Sequence, residues 1–300
     1  MTRYEDVKKN EKLLTALTSL TIAEFEELLA IFERIWDEWV AANQIEGRDR
    51  ERGFGGGRKP VLGKDEDKLL FILCYFKIYP LQIVLGHMFG MSQSQANEWI
   101  HRLDGILKTA LREMGHLPER DPEKLTEILA EDGEKDVIID GADRKIQRPK
   151  DNEKQKEYYS GKKKTHTVKN NVVVGAEDRK VKYLSGTCEG KKSDKKLCDE
   201  ENLTFPAEVT LYKDKGFQGY EPEGTETRQP KKKPKGGELS IDEEVENAVI
   251  SGVRIVVEHV ISGVKRCRIV KDVFRNTKKD FNDLVMEIAC GLHNLRTSYR

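Results

Sequence analysis

Cysteine is scarce and scattered. Cys74, Cys188, Cys198, Cys267 and Cys290 are odd in number and include no CxxC pair, which argues against a disulfide framework or a structural zinc site and for a reducing compartment. No apolar run approaches the ~20 residues of a membrane span. The opening stretch MTRYEDVKKNEK is charged and lacks the apolar core of a secretory signal. An excess of one charge is missing as well: 53 Lys and Arg balance 53 Asp and Glu, so composition alone does not announce a nucleic-acid binder. Internal repeats are absent, and the one biased segment, KKKPKGG, is a loop by composition. These absences predict a cytoplasmic, nucleoid-associated protein with no membrane partner.

The 300 residues that are present exceed a typical single domain and hold enough apolar material for a core. Charge is unevenly placed. Lys and Arg outnumber Asp and Glu over residues 144–196, while the amino-terminal segment leans acidic. A local basic surface on a neutral chain can still bind phosphate.

LTIAEFEELLAIFERIWDEWV sets Phe25, Leu28, Leu29, Phe32, Ile35, Trp36 and Trp39 at helical spacing, with Thr21 and Glu24 suited to a capping box. Such a stripe predicts packing against a neighbouring domain or, alternatively, a dimer seam, which makes residues 21–40 a candidate interface between protomers. GRDRERGFGGGRKPVLG is a Gly-rich, basic linker or mobile loop. Three helices follow in residues 64–112: DEDKLLFILCYFKIY, then PLQIVLGHMFG ended by Gly90, then SQSQANEWIHRLDGILKTAL with Ser92 as N-cap. Two short helices joined by a Gly-containing turn suit a helix-turn-helix, although any small three-helix bundle shares the pattern. In the former reading Ser92, Gln93, Ser94, Gln95 and Asn97 face the major groove, where amides and hydroxyls read base edges.

Beyond residue 134 the pattern becomes α/β. DVIID, KKTHTVKNNVVVGAE and RKVKYLSG read as strands, KKSDKKLCDEENL as a helix, PAEVTLYKD as a fourth strand and RQP at 228–230 as a short edge strand. Helices are then expected over 241–270 and over DFNDLVMEIACGLHNLRTS. In DVIIDG the apolar run ends in Asp140, and VTLYKDKGFQG ends likewise in Asp214. Carboxylates at the ends of neighbouring strands would share a crevice, and their repulsion calls for a hard cation with oxygen ligands. A third acid, Glu258, lies on the same helical stripe as Arg254 and Lys265; alone, an i,i+4 ion pair with Arg254 explains it. Taken with the two aspartates it completes a trio able to hold two Mg²⁺ ions roughly 4 Å apart for in-line displacement at a phosphodiester.

The motifs IIDGADRKIQRP, YYSGKKKTHTVKNN, DKGFQGY, RIVVEHVISGVKRCRI and LHNLR, in this order, resemble the DDE transposases of bacterial insertion sequences, in the insertion-sequence-five and Harbinger-like group. DKGFQGY matches that family's D-x-G-[YF]-x-G, and the glutamate segment its R-x3-E-x6-K signature; Ser251 stands where the signature often has Tyr. The resemblance covers residues 60–297. It implies an RNase H-like catalytic domain, a mixed five-stranded sheet flanked by helices, behind an all-α helix-turn-helix region. It also implies Mg²⁺-dependent cut-and-paste transposition, with Asp140, Asp214 and Glu258 as catalytic metal ligands and Mn²⁺ able to replace Mg²⁺. Arg254 and Lys265 would contact DNA near the cleaved end. The expected division is a helical region at 1–46, the helix-turn-helix domain at 47–118 and the catalytic domain at 119–300. Expected partners are double-stranded DNA (the terminal inverted repeats and the target) and further copies of the chain, as a homodimer or higher oligomer. Lys162, Lys163, Lys164 and Lys169 fall where a strand leaves one face in solvent, and suit either simple solvation or DNA-backbone contact. Two other functions stay open: a catalytically silent, sequence-specific DNA-binding protein, and a metal-dependent DNA endonuclease without strand transfer.

Overall fold

Side-chain oxygens cap many of the helix starts. In the structure, a computed structural model describing residues 1–42, 60–234 and 236–299, the single-turn α1 (Tyr4–Val7) precedes α2 (Glu11–Thr18), which Asn10 caps. Both fall in the helical region expected at 1–46, though the sequence delimited neither; isolated helices this short are marginal, so tertiary packing decides them. Thr21 and Glu24 exchange the expected capping-box bonds, at 3.3 and 2.7 Å, at the start of α3 (Ile22–Ala42). The Gly-rich segment expected to be a linker lies outside the described residues up to position 59. Next come α4 (Asp65–Ile78), α5 (Gln82–Phe89) and α6 (Gln93–Glu113), close to their expected bounds.

These six helices form one unit, Met1–Leu117 with a few later residues. The apolar face of α3, Phe25, Leu28, Phe32, Ile35 and Trp36, is buried against α4 and α6. Five of the seven stripe residues are thus buried inside their own unit, while Leu29 and Trp39 are only partly covered. Trp36 stacks on Trp39 at 5.3 Å and tilts against Trp99 at 5.8 Å, with the Arg102 guanidinium 4.8 Å over the Trp99 ring. Trp99 is therefore a core residue.

The second unit, Pro118–Lys265 and Val270–Thr297, carries α7 (Leu125–Asp132), β1 (Asp136–Lys145), α8 (Asn152–Tyr158), β2 (Tyr159–Ser160), β3 (Thr165–Gly175), β4 (Val181–Leu184) and β5 (Cys188–Glu189). It continues with α9 (Asp194–Glu201), β6 (Thr210–Lys213), β7 (Glu226–Arg228) and α10 (Ile241–Val264). After the short α11 (Arg268–Lys271), α12 (Phe281–Ser298) completes it. The sheet order is β2-β3-β1-β6-β7, with β4 and β5 also paired to β3. β1 runs antiparallel to β3 and parallel to β6. This mixed sheet flanked by helices is an RNase H-like α/β arrangement. The five expected strands are joined by the two-residue β2 and β5, and the edge strand sits at 226–228 instead of 228–230.

One face of the sheet buries Val137, Ile139, Val173 and Leu211 with Leu125, Leu129 and Cys198. On α10, Val257, Val260 and Val264 are buried, whereas Ile241, Val245, Val249 and Ile255 stay exposed. Among the described residues α10 is the one helix long and apolar enough, by length and composition only, to cross a membrane. Reading uninterrupted runs overlooked this because Arg254 and Glu258 break the run. The helix expected over 241–270 ends at Val264, with Lys265 as C-cap.

Two inner contacts hold the second unit shut. Arg144, 3% exposed, donates to the carbonyl of Asn282 at 2.5 Å, to Asn170 Oδ1 at 2.7 Å and to Thr187 Oγ1 at 3.0 Å. Asn294 bonds both backbone groups of Val181, at 2.8 and 2.9 Å.

Glu201 ends α9 in a less favourable place. Burial first of all pushes its carboxyl up to about 7, opposed by hydrogen bonds from Tyr183 and from the backbone of Gly186. A raised carboxyl stabilises the fold below its unfolded pKa and loses that contribution as pH climbs through 7. Glu201→Gln is expected to gain about 1–2 kcal/mol at pH 8, after discounting for partial solvent access, and nothing at pH 5. Thermal melts at the two pH values check it; equal shifts at both would refute the assignment.

Candidate active site

The parallel pairing of β1 with β6 matches Val137 to Leu211, Ile138 to Tyr212 and Ile139 to Lys213. The next residues in this register are Asp140 and Asp214. Here β6 ends, while β1 runs on to Lys145 beside β3. The two acids thus meet where one strand outlasts its neighbour and the sheet opens into a crevice.

The turn beyond β6 is stapled from below. Lys213 is 1% exposed; its ammonium donates to the Tyr220 carbonyl and to Glu221 Oε1, the latter at 2.6 Å. Asp214 accepts from the Gly216 amide through Oδ1 and faces Arg254 at 3.4 Å through Oδ2, and Gln229 Nε2 donates to its carbonyl at 2.7 Å. Asp140 accepts from the Gly141 amide at 2.8 Å. Burial pushes the Asp140 carboxyl up to about 6; the Gly141 bond and Arg254 oppose this, and the charges of Asp214 and Asp194 add to it.

The helix α10 packs on β1 and β6. Arg254 reaches Asp214. At the helix end, Lys265 is depressed chiefly by burial and then by Lys163, while Asp143 and Asp140 pull it upward. Glu258 lies between Arg254 and Lys265 on the same stripe of α10, but its side chain is exposed. The structure therefore brings Asp140, Asp214, Arg254 and Lys265 together and leaves the Glu258 carboxylate in solvent. Among the described residues no group of three or more His, Cys, Asp or Glu is gathered closely enough to hold a metal ion. The donor chemistry nonetheless suits a hard divalent cation: paired carboxylates, one of them resisting ionisation, gain from a positive charge between them.

Three residues of this region were missed in the sequence. Lys213 and Gln229 brace the Asp214 turn, and Asp194 acts electrostatically on Asp140. Asp194 sat unnoticed in the charged helix KKSDKKLCDEENL. Lys169 is a correction: expected on a solvated face, it is 8% exposed and pairs with Asp194 at 2.8 Å, because β3 is buried along its length from Thr167 onward. Lys162, Lys163 and Lys164 are exposed, at the turn between β2 and β3.

In the first unit, α5 and α6 meet across a tight turn. Gly90 has φ of 72°, and the Met91 amide donates back to the Gly86 carbonyl at 2.8 Å. Ser92 and Gln95 form a capping box, so the Gln95 side chain is engaged at 3.0 Å with the Ser92 amide, while Asn97 Oδ1 accepts from Gln82 Nε2 at 2.9 Å. Gln93 and Ser94 stand exposed on the first turn. A Cβ on Gly86 would lie 2.7 Å from the Met91 carbonyl oxygen. Gly86→Ala is expected to push α6 off α5, costing ~1–3 kcal/mol; thermal melting of the variant checks it, and an unchanged midpoint would show the turn has slack.

Residues 139–294 match the family described as DDE superfamily endonuclease, and residues 64–113 match the helix-turn-helix of DDE superfamily endonuclease. The chain is 26% identical over 276 residues to the "Probable transposase for insertion sequence element IS702" of Microchaete diplosiphon, a match covering 92% of this chain and 95% of that protein. No solved structure matches it.

Proposed function

The chain belongs to the DDE superfamily endonucleases, and from that premise we propose that it is an insertion-sequence transposase, cutting DNA at the ends of its element and joining the freed 3′-hydroxyl to target DNA. The observation that carries this reading is the side-by-side emergence of Asp140 and Asp214 from parallel neighbours, beneath Arg254 of α10. Asp140, Asp214 and Glu258 would hold divalent cations through carboxylate oxygens, Mg²⁺ in the cell with Mn²⁺ as a substitute. Bound there, the cations supply the positive charge that stabilises in-line displacement at phosphorus. Glu258, exposed on the same stripe of α10 as Arg254, would supply the third carboxylate.

Lys265 and Arg254 contact the DNA backbone beside the cut, and the exposed Lys162, Lys163 and Lys164 extend that contact. Base reading falls to the first turn of α6, led by Gln93 and Ser94 with Gln95 and Asn97 behind them. We divide the chain functionally into a helical region at 1–46, a helix-turn-helix domain at 47–118 and a catalytic domain at 119–300. An element has two ends to pair, so a homodimer or higher oligomer acts on double-stranded DNA, in the bacterial cytoplasm at the nucleoid.

A labelled duplex carrying one terminal repeat tests the reading. Nicking with Mg²⁺ but not with Ca²⁺, followed by a joined product, is the expected result. Nicking without joining would leave an endonuclease, and binding without nicking a silent DNA-binding protein.

A further inference from the structure

Asp140 is followed by Gly141, and Asp214 by Gly216 two residues on, glycines whose missing side chains leave room for the same group. A Cβ on Gly141 would lie 2.5 Å from Asp194 Oδ1, and a Cβ on Gly216 would lie 3.0 Å from Asp194 Oδ2 and 3.1 Å from Asp214 Oδ1. Ala at position 141 would therefore displace Asp194, and at position 216 would crowd Asp194 and Asp214 together. The Asp194 carboxylate thus lies against the Gly141 backbone and beside the carboxylate of Asp214.

The chain builds this position deliberately. Ser193 caps α9 and makes Asp194 its first residue, and Asn171, the β3 partner of Gly141, donates from Nδ2 to the Asp194 carbonyl at 3.0 Å. Lys169 stands over the carboxylate at 2.8 Å and donates to the Lys192 carbonyl at 2.9 Å. Asp194 Oδ1 is buried against that ammonium and accepts no further hydrogen bond, while Oδ2 lies on the side of Gly216 and Asp214. A half-buried carboxylate so placed, with spare acceptor capacity next to two others, is suited to a hard cation.

We propose that Asp194 is a further oxygen ligand of the divalent centre: the three aspartates do not stand close enough to hold an ion as they are, and Asp194 would close on Asp140 and Asp214 once Lys169, which holds its charge in check, gives way to the cation. This rests on the transposase reading of the same site, but it concerns a residue outside the acid trio. It also gives Gly141 and Gly216 a purpose, since each keeps one side of the Asp194 carboxylate clear. The rival explanation is a purely structural ion pair that pins the start of α9 to β3.

Mn²⁺ binding to the full-length protein without DNA separates the two, read by titration calorimetry alongside thermal melting. Asp194→Asn is expected to weaken Mn²⁺ about tenfold. Lys169→Met is expected to tighten it, because the carboxylate loses its competing cation. In a structural ion pair both changes would loosen the same clamp, so equal weakening by the two variants, or no effect of Asp194→Asn, overturns the proposal. Should Asp194→Asn melt early, Gly216→Ala serves instead: it crowds the two carboxylates while sparing the Lys169 pair, and unaltered Mn²⁺ affinity there also overturns it. Asp140→Asn is the control for the underlying reading. If that variant binds Mn²⁺ normally, the metal centre itself is misplaced; if it loses Mn²⁺ while Asp194→Asn does not, only the role of Asp194 fails.

Discussion

Asp140→Asn is expected to remove strand cleavage almost completely, by at least ~10³-fold, or about 4 kcal/mol of transition-state stabilisation. The amide keeps the size of the carboxyl but not its charge, and an amide is a poor substitute for an anionic oxygen on a hard cation. Stability should not fall. Burial already resists ionisation of this carboxyl, holding it at about 6, so a neutral group in its place relieves a penalty. DNA-end binding should also persist, because the segment that matches a helix-turn-helix lies in the first unit, away from this residue in the sequence. Cleavage and end binding measured on one preparation test both halves. A variant that cuts at the normal rate would remove Asp140 from the chemistry, and one that neither binds nor melts normally would show that the substitution damaged the fold.

Arg144→Met is expected to cost about 3–5 kcal/mol, enough to unfold much of the catalytic unit at ordinary temperatures. The guanidinium spans three acceptors on different segments: Asn170 on β3, Thr187 before β5 and Asn282 at the start of α12. Methionine fills a similar volume but leaves buried acceptors bare, each carrying a desolvation penalty of ~1–3 kcal/mol. Arg144→Lys should recover little, since one ammonium cannot reproduce a planar fork pointing two ways. Urea unfolding followed by far-ultraviolet circular dichroism gives the midpoint. An unchanged midpoint for the Met variant would mean that the network contributes nothing net.

The contrast between these arginine, lysine and aspartate positions explains what the sequence could tell. Asp140 and Asp214 were legible because each interrupts an apolar run, where a charge has to be explained, although β1 continues past Asp140 to Lys145. Arg254 and Lys265 were legible through their shared helical stripe with Glu258, but spacing fixes only where a side chain starts; the exposure of Glu258 has no signature in the pattern. Arg144, Lys169 and Lys213 were invisible for the opposite reason. Long cations are expected in water, and nothing in DRKIQ, VKNN or LYKD says that these three lie inside. Asp194 was lost among the lysines of α9, where any single acid looks like one more solvated charge. At the amino terminus the stripe of α3 was plain, but its partners α4 and α6 were not, because periodicity names a face without naming what covers it.

The helix α12 has a consequence for the newborn protein. Asn294 on α12 satisfies both backbone groups of Val181, and the carbonyl of Asn282 completes the shell around Arg144, so the sheet stays unsealed until α12 has left the ribosome. The helices of the DNA reader are complete by Glu113, long before that. A nascent chain is thus expected to grip DNA before it can cut, and a prematurely terminated copy to become a competitor for the element's ends that never matures into a nuclease.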